Sequence, residues 1–369
     1  MVPDGTTICG EIPAAPGDHA VKPGEILHIF NWDKKFLCPF RDLIRQHFAD
    51  GRHRFVVYGS TGADADATIA SDDTTVYPGR LMKHAFELAA AIARAEKVML
   101  HGLFHSHLYY ILSLQPWLLT KCYWYIWGGD LYVHENGKPG IRFQKDEWFR
   151  RFVISRLGHL VTYVQGDYEL AKEWYGATGA YRECILYPSN VYRPSASPIR
   201  AAGPMNIQVG NSADPANCHL EIFERLSQFQ NEDFRIYVPL SYGDQAHAAK
   251  VVEAGKRMFG HRFIPMTDFM PYSQYCEYLQ SLDIAIFAHK RQQGMGNMIA
   301  LLGMGKKVYM RSDVTSWRLF SKLDVAVFDF ENLELTALDK PSQRTNARKI
   351  ATYFSEERLR NQLSSLFAS

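Results

Sequence analysis

Apolar positions along the chain follow two alternating periods. Short runs rich in β-branched and aromatic residues at Glu25–Asn31 (EILHIFN), Arg54–Tyr58, Val98–Leu103, Cys122–Trp127, Leu160–Val164 and Ile185–Tyr187 predict strands buried on both faces. Between them lie stretches of helical period: Pro39–Phe48, His84–Glu96 with an apolar face of Phe86, Leu88, Ala89 and Ile92, Leu108–Leu114, and Asp146–Leu157. Strand–helix alternation of this kind predicts βαβ units and a parallel sheet. The segment Pro188–Pro204 then places four prolines in 17 residues, a composition that disfavours helix and sheet and marks a domain boundary.

After it the alternation restarts. Strands are expected at Met205–Val209, Arg235–Pro239, Arg262–Pro265, Asp283–His289, Lys307–Arg311 and Val325–Asp329. Helices are expected near Asn217–Phe229, Ala246–Phe259, Tyr272–Ser281, Met295–Gly303 and Ser316–Lys322, with a last one over about Arg344–Leu366. The fold expected is α/β: two Rossmann-like doubly wound domains, 25–195 and 204–340, facing across a cleft at their strand C-termini. Residues 1–24 are expected as a flexible leader, and 341–369 as a helix packing back on the N-terminal domain.

Composition narrows the partners. The 369 residues carry 41 Lys+Arg against 39 Asp+Glu, a formal net charge of +2, which argues against nucleic acid as the main ligand. The six cysteines form no CxxC pair and no zinc-ligand spacing, and so read as free thiols in a reducing compartment. The most apolar region, Val98–Leu119, is interrupted by His101, His105, His107, Gln115 and Pro116, so it does not read as a membrane span. The protein is expected in the cytoplasm or on a membrane surface. Phe104–Leu119 and Trp148–Arg156 read either as an amphipathic basic face for lipid or as helices packed on the first sheet.

Four places carry candidate chemistry. In WYIWGGDLY an aromatic strand ends in Gly128-Gly129, and Asp130 behind them reads as a general base on a hydroxyl or as a cap of the next segment. Gly210, Asn211 and Ser212 follow the first strand of the second half, where free backbone N–H groups hold an anion or Asp214 simply caps a helix. Lys290, Arg291, Gln292, Gln293, Gly294, Gly296 and Asn297 stand before an apolar helix; cations there oppose the helix dipole and point to a diphosphate, the alternative being an exposed basic turn. His101, at a strand end, reads as a sugar-bonding or basic group or as a structural histidine. The acids Asp64, Asp66, Asp72 and Asp73 read as surface residues, so no metal site is expected.

The pieces HGLF, WYIWGGDLY, QVGNSADPAN, YVPLSYGD and RQQGMGN, in this order, resemble the TDP-N-acetylfucosamine:lipid II N-acetylfucosaminyltransferases, glycosyltransferase family 56, of 4-alpha-L-fucosyltransferase type. The resemblance covers roughly residues 25–330. It implies a metal-independent GT-B hexosyltransferase without a cofactor, holding a nucleoside-diphosphate sugar in its C-terminal domain. The acceptor implied is a glycan or lipid-linked saccharide in bacterial surface polysaccharide synthesis, reached by peripheral contact with the cytoplasmic face of the inner membrane. Asp130 matches the family's acid; Gly210, Asn211, Ser212, Pro239, Tyr242 and the Arg291 loop match its nucleotide-sugar stretches. Gly129 stands where the family has Ala, Ser241 where it has Gly, and His289-Lys290 replaces a less basic pair. Two alternatives on the same scaffold are a nonhydrolysing nucleotide-sugar epimerase and a noncatalytic nucleotide-sugar-binding protein.

Overall fold

A computed structural model describes residues 20–59, 69–136, 140–194 and 203–368. The chain divides into two units, residues 1–189 with 360–369, and residues 190–359.

The first unit is built on β1 (Ile26–Asn31), β2 (His53–Tyr58), β3 (Thr74–Tyr77), β4 (Lys97–His101), β5 (Cys122–Tyr125), β6 (His159–Val161) and β7 (Ala180–Arg182). They form one parallel sheet in the order β3-β2-β1-β4-β5-β6-β7. Its helices are α1 (Lys34–His47), α2 (Ala85–Arg94), α3 (Ser106–Ser113), α4 (Ile141–Ile154) and α5 (Gln165–Tyr175). Leu27, Ile29, Leu100 and Trp124 of the strands pack with Leu88, Leu108, Ile111 and Val153 of the helices, so the strands are continuous apolar runs because both faces are covered.

The second unit contains β8 (Met205–Val209), β9 (Phe234–Pro239), β10 (Phe263–Met266), β11 (Ile284–Phe287), β12 (Lys307–Met310) and β13 (Phe328–Asp329), in the order β10-β9-β8-β11-β12-β13. Its helices are α6 (His219–Leu226), α7 (Gln245–Phe259), α8 (Tyr272–Ser281), α9 (Met295–Gly303), α10 (Thr315–Lys322) and α11 (Lys340–Tyr353). The core runs through Ile207, Val209, Phe223, Ile236, Val238, Phe263 and Ile286. In both sheets the order of the parallel strands reverses next to the first strand, between β1 and β4 and between β8 and β11. In doubly wound sheets the crevice at such a reversal, outside the strand C-termini, is where ligands sit.

Some elements differ from expectation. Helix α1 begins five residues before Pro39, because the Asp33 side chain accepts from Lys35 N at 2.9 Å and Leu37 and Phe40 bury an apolar stripe. Tertiary burial of that stripe outweighs the missing N–H of the proline. Strand β3 lies where the sequence reads as loop: Phe55 pairs with Thr74, and Tyr58 with Tyr77. Ile185–Tyr187 is not a ladder strand, and Leu186 adopts a left-handed φ of 76°. The C-terminal segment is two helices, not one. Helix α11 packs along α9 in the second unit. Helix α12 (Glu356–Ala368) restarts after Ser355, whose Oγ accepts from Arg358 N at 3.1 Å, and its end belongs to the first unit. There Phe367 packs on His53 and Phe48, and Lys97 Nζ donates to the Phe367 carbonyl at 2.7 Å. The acids Asp64 and Asp66 lie outside the described residues, as do residues 195–202 of the proline-rich segment. Asp73 is bound in structure, paired with Arg45 at 2.7 Å.

Candidate functional site

In the second unit three loops meet above the β8/β11 reversal. The first, Gly210-Asn211-Ser212, leaves β8 in a left-handed turn at Gly210, where a Cβ would come within 2.7 Å of Asn217 Oδ1. Asn217 is the hub of this loop. Its Oδ1 accepts from Asn211 N at 2.8 Å and faces His289 Nε2 at 2.9 Å, and its Nδ2 donates to the Asp214 carbonyl at 2.9 Å. An oxygen that already accepts a backbone N–H assigns a proton to His289 Nε2. Burial and then the charge of Arg291 hold the His289 pKa at about 3, so the ring is neutral.

The second loop carries Tyr242, half-exposed, with its hydroxyl 3.1 Å from Asn211 Nδ2. Its carbonyl accepts from Ala213 N at 2.8 Å, which stitches the two loops together. The third loop runs from His289 into α9. Arg291 reaches Asp214 across the first loop at 3.6 Å. Gly294 caps α9 in the left-handed region (φ 69°), and a Cβ there would lie 3.1 Å from Asn211 Oδ1. The first N–H groups of α9, at Met295 and Gly296, have no intrahelical acceptor and carry the positive end of the helix dipole.

Several buried acceptors in these loops have no protein partner among the described residues: Asn211 Oδ1, Gln292 Oε1 and Gln293 Oε1. Buried acceptors of this kind carry a desolvation cost that a ligand's hydroxyl or N–H groups relieve. The site thus offers N–H groups and a guanidinium for an anion, and amide oxygens for a polyol.

The sequence-predicted residues do not all converge here. Gly210, Asn211, Ser212, Tyr242, Arg291 and Gly294 do. Lys290 is exposed beside them, and Gln292, Gln293 and Gly296 are half-buried. Asn297 accepts a hydrogen bond from Tyr275 of α8, and Pro239 stays buried in β9, paired with Met266. Asn217, His289 and Asp214 are added by the structure. Asn217 and Asp214 stand inside the stretch QVGNSADPAN, so a signal for them was present.

The first unit corrects both catalytic expectations. Asp130 is 0% exposed, and each carboxylate oxygen accepts twice. Oδ2 takes Leu103 N at 2.9 Å and Trp124 Nε1 at 2.7 Å; Oδ1 takes Trp127 N at 3.0 Å and Leu131 N at 3.1 Å. Burial pushes its pKa up against the pull of these donors. Asp130 therefore ties the β4 and β5 loops together and has no lone pair open to an incoming hydroxyl. His101 is equally buried, its Nδ1 2.7 Å from the Tyr187 hydroxyl and its Nε2 3.1 Å from His28 Nδ1.

That histidine belongs to a chain. Trp127 Nε1, which can only donate, lies 2.7 Å from Tyr187 Oη, so the phenolic proton turns to His101 Nδ1. The His101 proton then sits on Nε2 and faces His28, whose Nε2 in turn faces His53 Nδ1 at 2.9 Å. One donor at one end sets the tautomer of three histidines.

The description 4-alpha-L-fucosyltransferase glycosyl transferase group 56 matches residues 26–362. The chain belongs to this family. It is a glycosyltransferase, and its two Rossmann-like units are those of the GT-B class. Similar solved structures include HepE from Anabaena in complex with UDP and glucose, at 12% identity and TM-score 0.65 over 93% of this chain and 99% of that one. Sucrose-phosphate synthase from Thermosynechococcus elongatus gives 10% identity and TM-score 0.67 over 93% and 98% of the two chains. A glycosyltransferase from Rickettsia africae gives 12% identity and TM-score 0.62 over 94% and 98%. At these identities the likeness shows the fold.

Proposed function

We propose that this glycosyltransferase moves a fucose-type deoxy or acetamido sugar from a nucleoside diphosphate to a hydroxyl of a glycan or lipid-linked saccharide in bacterial surface polysaccharide synthesis. The observation that carries this reading is the meeting of Gly210–Ser212, Arg291 and the α9 N-terminus above one strand reversal. Arg291 and the N–H groups of Met295 and Gly296 take the diphosphate. As the bond from the sugar's C1 to phosphate breaks, the electron pair leaves with the diphosphate, and these fixed donors stabilise the growing charge. Asn211, Gln292 and Gln293 offer oxygens to sugar hydroxyls or an acetamido N–H, and Tyr242 lies where a base or ribose can pack. That the Anabaena relative holds UDP and glucose supports a nucleotide-sugar donor here.

A lipid-linked acceptor requires the enzyme to work at a membrane, and among the described residues no helix is long and apolar enough to cross one. One face of the first unit supports peripheral contact instead. Of the ten large apolar side chains exposed among the described residues, six, Met82, Phe86, Leu114, Trp117, Ile141 and Trp148, stand on or beside the neighbouring helices α2, α3 and α4. Exposed Lys145 and Arg156 accompany them, Arg156 over the Phe152 ring at 4.0 Å. Tryptophan with basic residues is the composition of a lipid-interface face, on the cytoplasmic side of the inner membrane in this reading.

Isothermal titration with UDP and dTDP, then turnover with a panel of UDP- and dTDP-sugars, tests the donor reading. Micromolar binding and acceptor-dependent release of nucleotide are expected; no binding of either nucleotide overturns it. Flotation with vesicles of phosphatidylglycerol and phosphatidylethanolamine tests the membrane, where Trp148→Ala with Trp117→Ala should lower the bound fraction severalfold.

A further inference from the structure

The first sheet has a reversal of its own, and the loops above it carry a second set of groups. Strand β1 ends at Asn31 and β4 at His101, with Phe30 and His101 the last paired residues. A Cβ on Gly59, at the end of β2, would lie 2.5 Å from Asn31 Oδ1 and 3.9 Å from His105 Nε2, so the amide and the imidazole both border that one small residue. His105 is exposed and Asn31 half-buried.

Beside them stands a group of aromatic rings. Trp127 packs at 4.3 Å on Phe36 and meets Phe104 edge-on at 5.5 Å, its N–H already given to Tyr187. Phe104 is 37% exposed and lies across two glycines: a Cβ on Gly102 would be 2.3 Å from its ring, and one on Gly129 3.5 Å. Gly102 therefore makes room for this ring, and Gly129 lies in contact with it. The aromatic edge is held from beneath by the Tyr187–His101–His28–His53 chain and by Leu186, whose left-handed backbone sets Tyr187. A rigid aromatic surface with an amide and an imidazole at its rim matches a pyranose, which shows C–H groups on its faces and hydroxyls around its edge.

Resting on the glycosyl-transfer reading above, we infer that this edge is the acceptor-saccharide subsite, with Phe104 and Trp127 as its stacking surface and His105 as the base. In the step, the acceptor hydroxyl oxygen bonds to the sugar's C1 and its proton passes to an imidazole nitrogen of His105. The bond from C1 to phosphate breaks, the diphosphate keeps the electron pair, and His105 later returns the proton to water. Burial and then His107 lower the His105 pKa, so the ring is a neutral acceptor at pH 7. The titratable side chains facing it among the described residues are Tyr58, edge-on at 5.5 Å, and His107.

The test has two arms on the full chain. In the first, His105→Ala and His105→Gln are assayed for sugar transfer between pH 5 and 9, with UDP and dTDP titrated into the same preparations. Turnover should fall at least about 10²-fold with nucleotide affinity within twofold of wild type, and the acid limb of kcat/KM should vanish. Unchanged turnover, or an acid limb that persists, overturns the base. In the second, saturation-transfer NMR follows methyl α-D-glucopyranoside and p-nitrophenyl N-acetyl-β-D-glucosaminide. Saturation should appear with wild type and drop several-fold in Phe104→Ala, which removes an exposed ring and leaves the fold. No saturation with wild type, or an undiminished signal in Phe104→Ala, overturns the subsite. Should the wild type bind neither nucleotide, the donor reading fails, while the NMR arm still decides the pyranose subsite.

Discussion

The two strand reversals share a topology and differ in chemistry. Above β1/β4 the carboxylate and most of the imidazole nitrogens are paired: Asp130 accepts four N–H groups, and Trp127, Tyr187, His101, His28 and His53 bond in a line, while the Tyr58 and Tyr125 hydroxyls and His53 Nε2 have no hydrogen-bond partner among the described residues. What that unit presents outward is a set of aromatic rings and His105 at their rim. Among the described residues the loops above β8/β11 remain short of partners, with unpaired buried amide oxygens, the first N–H groups of α9, and Arg291 held by a 3.6 Å contact with Asp214 and a 3.3 Å hydrogen bond to the Gln292 carbonyl. Closed hydrogen-bond networks hold a shape, and open ones await a ligand. One fold repeated twice thus yields an aromatic edge in one unit and, in the other, loops whose N–H groups, guanidinium and amide oxygens suit the anion and polyol of the proposed donor.

The contrast breaks most sharply at Asp130. Asp130→Ala leaves four donors buried without an acceptor, at a cost of about 3–5 kcal/mol. Calorimetry should show a large fall in melting temperature, while titration with UDP or dTDP stays unchanged. A variant as stable as wild type that loses turnover would return Asp130 to the role of base.

Next in size is Arg291→Ala. Loss of a charge-assisted contact to a diphosphate is worth about 1.5–3 kcal/mol, so nucleotide affinity should fall roughly 10- to 100-fold by titration, with melting nearly unchanged. Equal binding by variant and wild type would remove the phosphate role.

The buried histidines sharpen the comparison through pH. Burial, then His53 and His101, hold His28 well below its ordinary 6.5, and burial holds His53 at about 4. A depressed folded pKa favours the neutral ring in the native state, so the unfolded chain binds more protons below pH 6.5. The stability these rings contribute is fully present above pH 6.5 and is lost as pH falls through the folded values. Each should add a slope of about 1.4 kcal/mol per pH unit to urea midpoints measured downward from pH 6.5, and His28→Gln should remove one such increment. A slope that is identical in His28→Gln would show that the ring does not titrate with unfolding.

The smallest effect is expected at Tyr242→Phe, which deletes the hydroxyl beside Asn211 Nδ2. About 1 kcal/mol, or severalfold in nucleotide affinity, should be lost, with the aromatic surface kept. A loss as large as that of Arg291→Ala would mean that the hydroxyl, and not the ring, meets the ligand.

How much of this was legible varies with the range of the interaction. Gly210-Asn211-Ser212 and Arg291–Gly294 are written locally, because a glycine between an apolar strand and a helix announces a turn and exposed N–H groups. Asp130 was legible as special but not in its role, since the residues that bury it, Leu103 and Trp124 among them, come from two strands and the loops after them. His105 was visible in HGLFHSH, yet nothing local separates it from His101; one ends a buried strand and the other caps a helix at the surface. Pro39 inside α1 and the polar strand β3 show local preference yielding to packing.

The alternation of apolar periods and the placement of Gly, Asn and Arg at strand ends determined two doubly wound units and where each could hold a ligand, because such signals act within a few residues. Only the tertiary structure decided strand order, the burial of Asp130 and the line through His53, His28 and His101. Those depend on which distant residues become neighbours, and desolvation and hydrogen-bond satisfaction are properties of neighbours in space.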